Sequence, residues 1–257
     1  MNFIDPLKTL IKKNIILTIL SDYVISFLGF NFEKEYRIIN FIKKKNPTII
    51  DIGGNRGESI QNFLRFNKNL KIICFEPKKN SFEYIKKKYK KKNIRIFNFG
   101  IGNKQKKVSL YTPTIYNYEF SSLSATDLTN LKIRLNSFFK VLKNDFKFIK
   151  EIIKIKKLDK FNLKPDLIKI DAEGSELDIL KSSIQTIKKY QPLLIIEFNQ
   201  INFSEIKKIL SRIGYKSYIF QNNTFSPIDK KLIKKIMKRD HLTNIVYTSK
   251  KRLLNFC

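Results

Sequence analysis

Apolar positions run through this chain in two rhythms. In residues 1–45 they recur at helical spacing, with Lys and Glu between them, which predicts a helical N-terminal extension. Pro47 closes that region, because the residue before a proline avoids the helical basin. From residue 46 onward short β-branched runs alternate with helical stretches. Thr48–Ile52 (TIIDI) reads as a buried strand, the segment from Gly57 to Phe66 as a helix, and Leu70–Phe75 (LKIICF) as a second strand. Ser81–Tyr89 is a second helix with Ser81 as its N-cap, and Asn93–Phe99 a third strand. Val108–Tyr111 is a short strand, followed by a polar loop with Ser121, Ser122 and Ser124, while residues 127–150 mix helical and basic features without a clear period. The alternation then resumes with strand Leu167–Ile170, helix Ser175–Ser182 and strand Pro192–Phe198. Helix Glu205–Ile213 stops at Gly214, and Tyr215–Phe220 and Ile245–Tyr247 form a last strand pair. This order predicts one α/β domain over 46–257, built on a mostly parallel sheet with helices on both faces. No repeat or low-complexity linker interrupts it.

Composition adjusts that picture modestly. A chain of 257 residues with 42% hydrophobic positions is long enough for one domain with its own core. The formal charge of +30 raises nucleic acid or an anionic membrane surface as partners. Lys, Ile and Asn are abundant together, Ala occurs only at Ala125 and Ala172, and Trp is absent, the joint bias of an AT-rich coding sequence. Because the lysines spread along almost the whole chain, the favoured reading is a solvated Lys-rich surface without a specific nucleic-acid partner. Such a surface still favours acidic substrates and leaves peripheral contact with an anionic membrane open. The apolar stretch Ile15–Phe30 is interrupted by Asp22 and falls short of the roughly 20 residues of a spanning helix. It reads as a helix packed on the domain, with an in-plane membrane helix beside Lys12 and Lys13 as the alternative. Cys74 and Cys257 supply neither a disulfide framework nor a zinc spacing, so no metal site is assigned and a reducing cytoplasm is the default.

The chemistry concentrates in two glycine loops. Asp51-Ile-Gly-Gly-Asn-Arg-Gly57 follows a buried strand and opens a helix, at the strand end where open α/β sheets bind ligands. A pyrophosphate there would want backbone N–H groups and no carboxylate. Asp51 sits directly before the glycines, so the loop suits a cationic ligand, such as the ammonium and sulfonium of S-adenosylmethionine. Glu76, at the end of the second strand, can accept hydrogen bonds from both hydroxyls of a ribose. Alone it fits either ligand; with Asp51 it favours the methyl donor. Phe99-Gly-Ile-Gly-Asn103 is either a third contact, with Ile101 against an adenine ring, or a plain turn. Five of the chain's eight glycines lie in these two loops.

A second acidic group follows the strand Leu167–Ile170. Asp171 and Glu173 project at the same sheet edge as the glycine loop, and Glu197 ends the next strand there. Such carboxylates can bind an acceptor's hydroxyls, serve as a general base or hold a divalent cation. Glu176 reads as an N-terminal helix cap. His241, the only histidine, reads as a surface residue, and the Ser121/Ser122/Ser124 loop as an acceptor cover or a plain polar loop.

Taken in order, TIIDIGGNRGES, CFEP, FNFGIGN, KKLDKF, DLIKIDAEGSELDILK and PLLIIEF resemble the FkbM family of methyltransferases over roughly Pro47 to Tyr218. DAEGSELDIL is the most specific segment; the glycine loop alone is shared with most class I methyltransferases. The resemblance implies a Rossmann-like, seven-stranded class I fold and O-methylation of sugars or similar hydroxyl acceptors, with S-adenosylmethionine as cofactor. By position it places Asp51, Gly53, Asn55, Gly57 and Glu76 at the cofactor, and Asp171 and Glu173 at the reaction site. The family commonly has Ala-Asn where this chain has Gly54-Asn55. A carbohydrate acceptor, as in a surface polysaccharide, rests on that analogy alone. The competing readings are a basic nucleic-acid-binding protein or nucleic-acid methyltransferase, and a fold that binds cofactor without catalysis. Against the former, no asparagine-proline-proline-aromatic tetrad is present; against the latter, the acids stand intact at the strand ends.

Overall fold

A computed structural model describes residues 34–115, 118–138, 146–221, 223–229 and 244–249. Most of the predicted N-terminal extension, the Ile15–Phe30 stretch, His241 and Cys257 lie outside the described residues. The elements are β1 (Thr48–Ile52), α1 (Glu58–Phe66), β2 (Lys71–Phe75), α2 (Lys79–Lys88), β3 (Ile94–Phe97), β4 (Gly100–Ile101), β5 (Lys106–Ile115) and β6 (Tyr118–Glu119). There follow α3 (Leu128–Phe138), β7 (Lys147–Lys156), β8 (Leu167–Ile170), α4 (Glu176–Ser182), α5 (Ile184–Tyr190), β9 (Leu193–Glu197), α6 (Phe203–Ser211), β10 (Tyr215–Gln221), β11 (Thr224–Pro227) and β12 (Asn244–Ser249). Short 3-10 helices span Lys34–Phe41, Ser121–Leu123 and Leu158–Phe161.

The central sheet is ordered β11-β10-β12-β9-β8-β1-β2-β3. The five strands from β9 to β3 are parallel. β12 runs against β9 and β10, and β11 against β10, so the sheet has eight strands and is mixed, one strand more than the seven expected. The extra strand comes from the sequence FQNNTF: Gln221 pairs with Thr224, and Asn223 takes a φ of 60°, a conformation asparagine tolerates better than most residues. The order reverses direction between β1 and β8, which makes their carboxyl ends the expected ligand crevice.

Alternation along each strand builds a core on both faces. Ile50, Ile168 and Leu194 join α4 and α6 on one face, where Ile179, Leu180, Ile206 and Leu210 are buried. Ile49, Leu167 and Leu193 join α1 on the other, with Ile60 and Phe63 fully buried. The KKLDKF segment is structural. Asp159 accepts backbone N–H groups of Gln185 (3.1 Å) and Thr186 (2.8 Å) at the start of α5, and Phe161 stacks on Phe99 at 5.4 Å.

Two local expectations change. α2 begins at Lys79 rather than at Ser81, whose side chain is buried and makes no cap; Glu76 accepts the Lys78 N–H instead. The region around 106–156 forms a second sheet, β4-β7-β5-β6, in which β5 and β7 pair antiparallel over nine positions from Lys106–Ile155 to Thr114–Lys147. It was illegible in KFIKEIIKIK because exposed isoleucines fall on both faces, Ile149 on one and Ile152 among the lysines on the other, and only Ile153 is buried in β7.

Candidate functional site

The loop after β1 is shaped by close packing. Gly53 holds φ 88°, and a Cβ there would lie 1.7 Å from the Asp171 carbonyl oxygen. Gly57 holds φ 81°, and a Cβ would meet the Tyr89 ring at 2.7 Å, while the Tyr89 hydroxyl donates to the Gly57 carbonyl at 3.0 Å. Glycine is required at both by conformation and by space. Between them Asn55, at φ 43°, turns its N–H onto Glu76 Oε2 at 2.8 Å. Lys78 N–H reaches Oε1 of the same carboxylate at 2.8 Å. Glu76 is thus fixed by one backbone donor on each oxygen, with lone pairs left over for a ligand. Its burial pushes the carboxyl up to about 7 against the pull of those two bonds, and the Asp51 charge adds to the rise.

Asp51 is placed differently from the expectation. Its side chain lies on the α1 face of the sheet, fully buried, accepting a short hydrogen bond from the Ser59 hydroxyl. Lys169 Nζ lies 3.9 Å from its other oxygen and donates to Asp171 Oδ2 at 2.9 Å. Burial raises the Asp51 carboxyl, with Lys169 opposing. The carboxylate therefore stands behind the cavity wall, and Ser59 and Lys169 are the groups that reach the cavity. Lys169 is the residue the sequence reading missed. Its signal was a charge inside the otherwise apolar buried strand LIKI, two places before Asp171 and hence on the same side.

These elements surround a cavity of about 340 Å³ at the β1–β8 switch point, within the usual range for small-ligand sites. Gly53, Asn55 and Glu76 line one end, with Phe75, Pro77 and Ile101 as an apolar strip beside them. Ile101 lines the pocket, while Gly57 is not among its lining residues. Asp171, Glu173 and Glu197 line another side, with carboxylate oxygens within 4.8 Å of one another, a spacing that suits one shared cation. Burial, then Asp171 and Glu173, push Glu197 up to about 10. Glu173 sits at φ 50° beside Gly174 at φ 99°. Glu176 is fully buried and accepts the N–H groups of Ala172 (3.3 Å) and Gly174 (2.8 Å), so it ties down the loop before α4 rather than capping the helix as its position suggested. Ser121, Ser122 and Ser124 line the cavity from the 3-10 turn that follows β6.

The donor set fits S-adenosylmethionine. The backbone approaches closely at Gly53, Glu76 keeps free lone pairs beside an apolar strip, and a carboxylate-rich side answers a cationic ligand.

The family comparison agrees. The FkbM methyltransferase domain model matches residues 51–217, well over half of the chain. No curated protein sequence matches. Among solved structures, the FkbM methyltransferase of Methylobacillus flagellatus KT is 16% identical with a TM-score of 0.50. The alignment covers 83% of this chain and 47% of that one, so the present chain spans about half its length. A TehB-like SAM-dependent methyltransferase from Corynebacterium glutamicum is 12% identical over 91% of this chain and 96% of its own, with a TM-score of 0.45. The plantazolicin methyltransferase BpumL, in complex with SAH, is 11% identical over 96% and 91% with a TM-score of 0.42. The domain match, laid over a site that suits the methyl donor, places this chain in the FkbM family of S-adenosylmethionine-dependent methyltransferases.

Proposed function

We propose that the protein methylates a hydroxyl group of a sugar or polysaccharide-type acceptor. The observation that supports this reading is the lining of one cavity by two kinds of group: carboxylates of Asp171, Glu173 and Glu197, and hydroxyls of Ser121, Ser122 and Ser124. The cofactor supplies a methyl group already activated on a positively charged sulfur. What remains for the protein is to bind, align, exclude water and accept a proton. Glu76 takes the ribose hydroxyls, and the Ile101 strip takes the base. Asp171, held by Lys169, orients its carboxylate toward the reaction centre, and Glu173 accepts the acceptor's proton. The serine hydroxyls hydrogen-bond a polyhydroxylated ligand.

The test is conversion of radiolabelled methyl donor by the purified protein against a panel of mono- and oligosaccharides. Asp171→Asn and Glu173→Gln should lower turnover by about 10²- to 10⁴-fold, the range for loss of acid–base assistance, while S-adenosylhomocysteine still binds. Methylation of RNA or DNA but of no carbohydrate would overturn the proposal.

A further inference from the structure

Lys78 is almost completely buried, 3% exposed, one residue after the CFEP turn. A buried ammonium must be paired, because its desolvation costs several kcal/mol otherwise. One of its partners lies in β6 and the other in the 3-10 helix just after it: Nζ lies 2.6 Å from Glu119 Oε2 and 3.0 Å from Ser121 Oγ. Its own backbone N–H holds Glu76 Oε1 at 2.8 Å. One residue thus grips the donor-binding carboxylate with its main chain and the opposite cavity wall with its side chain. A second tie runs beside it, from Lys79 N–H to Glu151 Oε1 of β7 at 3.0 Å. The wall is itself a connected unit. Phe120 N–H bonds Pro113 O at 3.0 Å, Tyr111 and Ala125 exchange backbone bonds at 2.9 and 3.0 Å, and the Thr112 and Ser124 hydroxyls meet at 2.8 Å. Glu119, Ser121, Ser122 and Ser124 all line the cavity.

We propose that Lys78 is a positioning residue that couples the two halves of the site, so that occupation of Glu76 by the donor orders the acceptor wall at 118–126. The coupling follows from the geometry. A ligand hydrogen-bonded to Glu76 restrains the carboxylate, and with it the Lys78 main chain and the root of its side chain. The wall cannot leave that ammonium without stranding a buried charge, so restraint of the turn is passed on as order in the wall. The coupling is reciprocal, and acceptor binding tightens donor binding by the same factor. The inference rests on the donor site and on the reading of the second-sheet wall as the acceptor side.

The experiment is amide hydrogen exchange over 118–126 with and without saturating S-adenosylhomocysteine, whose binding is measured separately by calorimetry. In the wild type the ligand should slow exchange there about tenfold. In Lys78→Met the ligand should still bind, within about tenfold of the wild type, and the slowing should vanish. Glu119→Gln, a milder change on a part-exposed group, should lose most of the slowing, and Lys78→Arg should restore it. A wild-type wall that exchanges equally with and without ligand overturns the inference, and so does a ligand response preserved in both Lys78→Met and Glu119→Gln. Absence of binding in the calorimeter overturns the donor site itself, a separate failure.

Discussion

Among the described residues, Lys169 and Asp51 form the ion pair of the site that both partners bury, at 3% and 0% exposed. Lys169 also pairs with Asp171 at 2.9 Å, but for the buried Asp51 carboxylate Lys169 is the cation at hand. Lys169→Met should cost about 3–5 kcal/mol in urea unfolding, the usual result of stranding one member of a buried pair. Adding Asp51→Asn should return part of that loss, because the amide needs no counter-charge and still accepts from Ser59. A single-variant cost no larger than that of a surface substitution would show that the pair contributes nothing. Glu76 offers a pH test with a definite sign. Its folded carboxyl is raised from 4.5 to about 7, so the folded protein holds that proton more tightly than the unfolded chain. The stability it contributes is present at low pH and is lost as pH rises through that window. Asp51, Glu58, Glu176 and Glu197 are shifted in the same direction. Thermal midpoints should therefore fall between about pH 5 and pH 8, less so in Glu76→Gln. Donor affinity should do the opposite, rising as the carboxylate ionises through about pH 7, because only the anion offers both oxygens as acceptors. A Glu76→Gln variant whose affinity keeps that pH dependence would remove Glu76 from the donor site.

Among the elements, α1 links the glycine loop to the core. Its polar N-terminus carries Ser59 to Asp51, and its apolar side buries Ile60 and Phe63 against Tyr36, whose ring lies 4.6 Å from that of Phe63. Phe63→Ala should cost about 3–5 kcal/mol by calorimetric or denaturant unfolding, and should weaken donor binding through the loop it supports. A loss below about 1 kcal/mol would mean the helix packs loosely. The central strands were readable because strands buried on both faces are nearly all apolar, as in TIIDI, LIKI and PLLIIEF. β5 and β7 were not readable in full, because a sheet solvated on one face mixes Lys with Ile and can cover a cavity without burying much of its own length. The Ser81 cap failed for a related reason: a carboxylate from the preceding turn took the helix N-terminus, a contact no local rule contains.

Across the whole molecule, the +30 charge is the broadest feature and the least tied to the site. Retention on a heparin column at about 50 mM salt should be lost by a few hundred mM, as non-specific polyanion binding is. Retention well beyond that would indicate a dedicated polyanion surface. Among the described residues no helix is long and apolar enough to cross a membrane. The sequence by itself determined the α/β alternation, the two glycine loops and the acids at the strand ends, since each depends on local burial period or on a backbone that tolerates no Cβ. Gly53, Glu76, Asp171, Glu173 and Glu197 all reach the cavity. Only the tertiary structure decided which acid faces the ligand. Asp51 turned inward because Lys169, more than a hundred residues later, lies across from it in the neighbouring strand, and Ser59 hydrogen-bonds it from α1. The wall built by β5, β6 and β7, and the hold of Lys78 upon it, likewise arise from contacts between segments far apart in the chain, which neither period nor motif encodes.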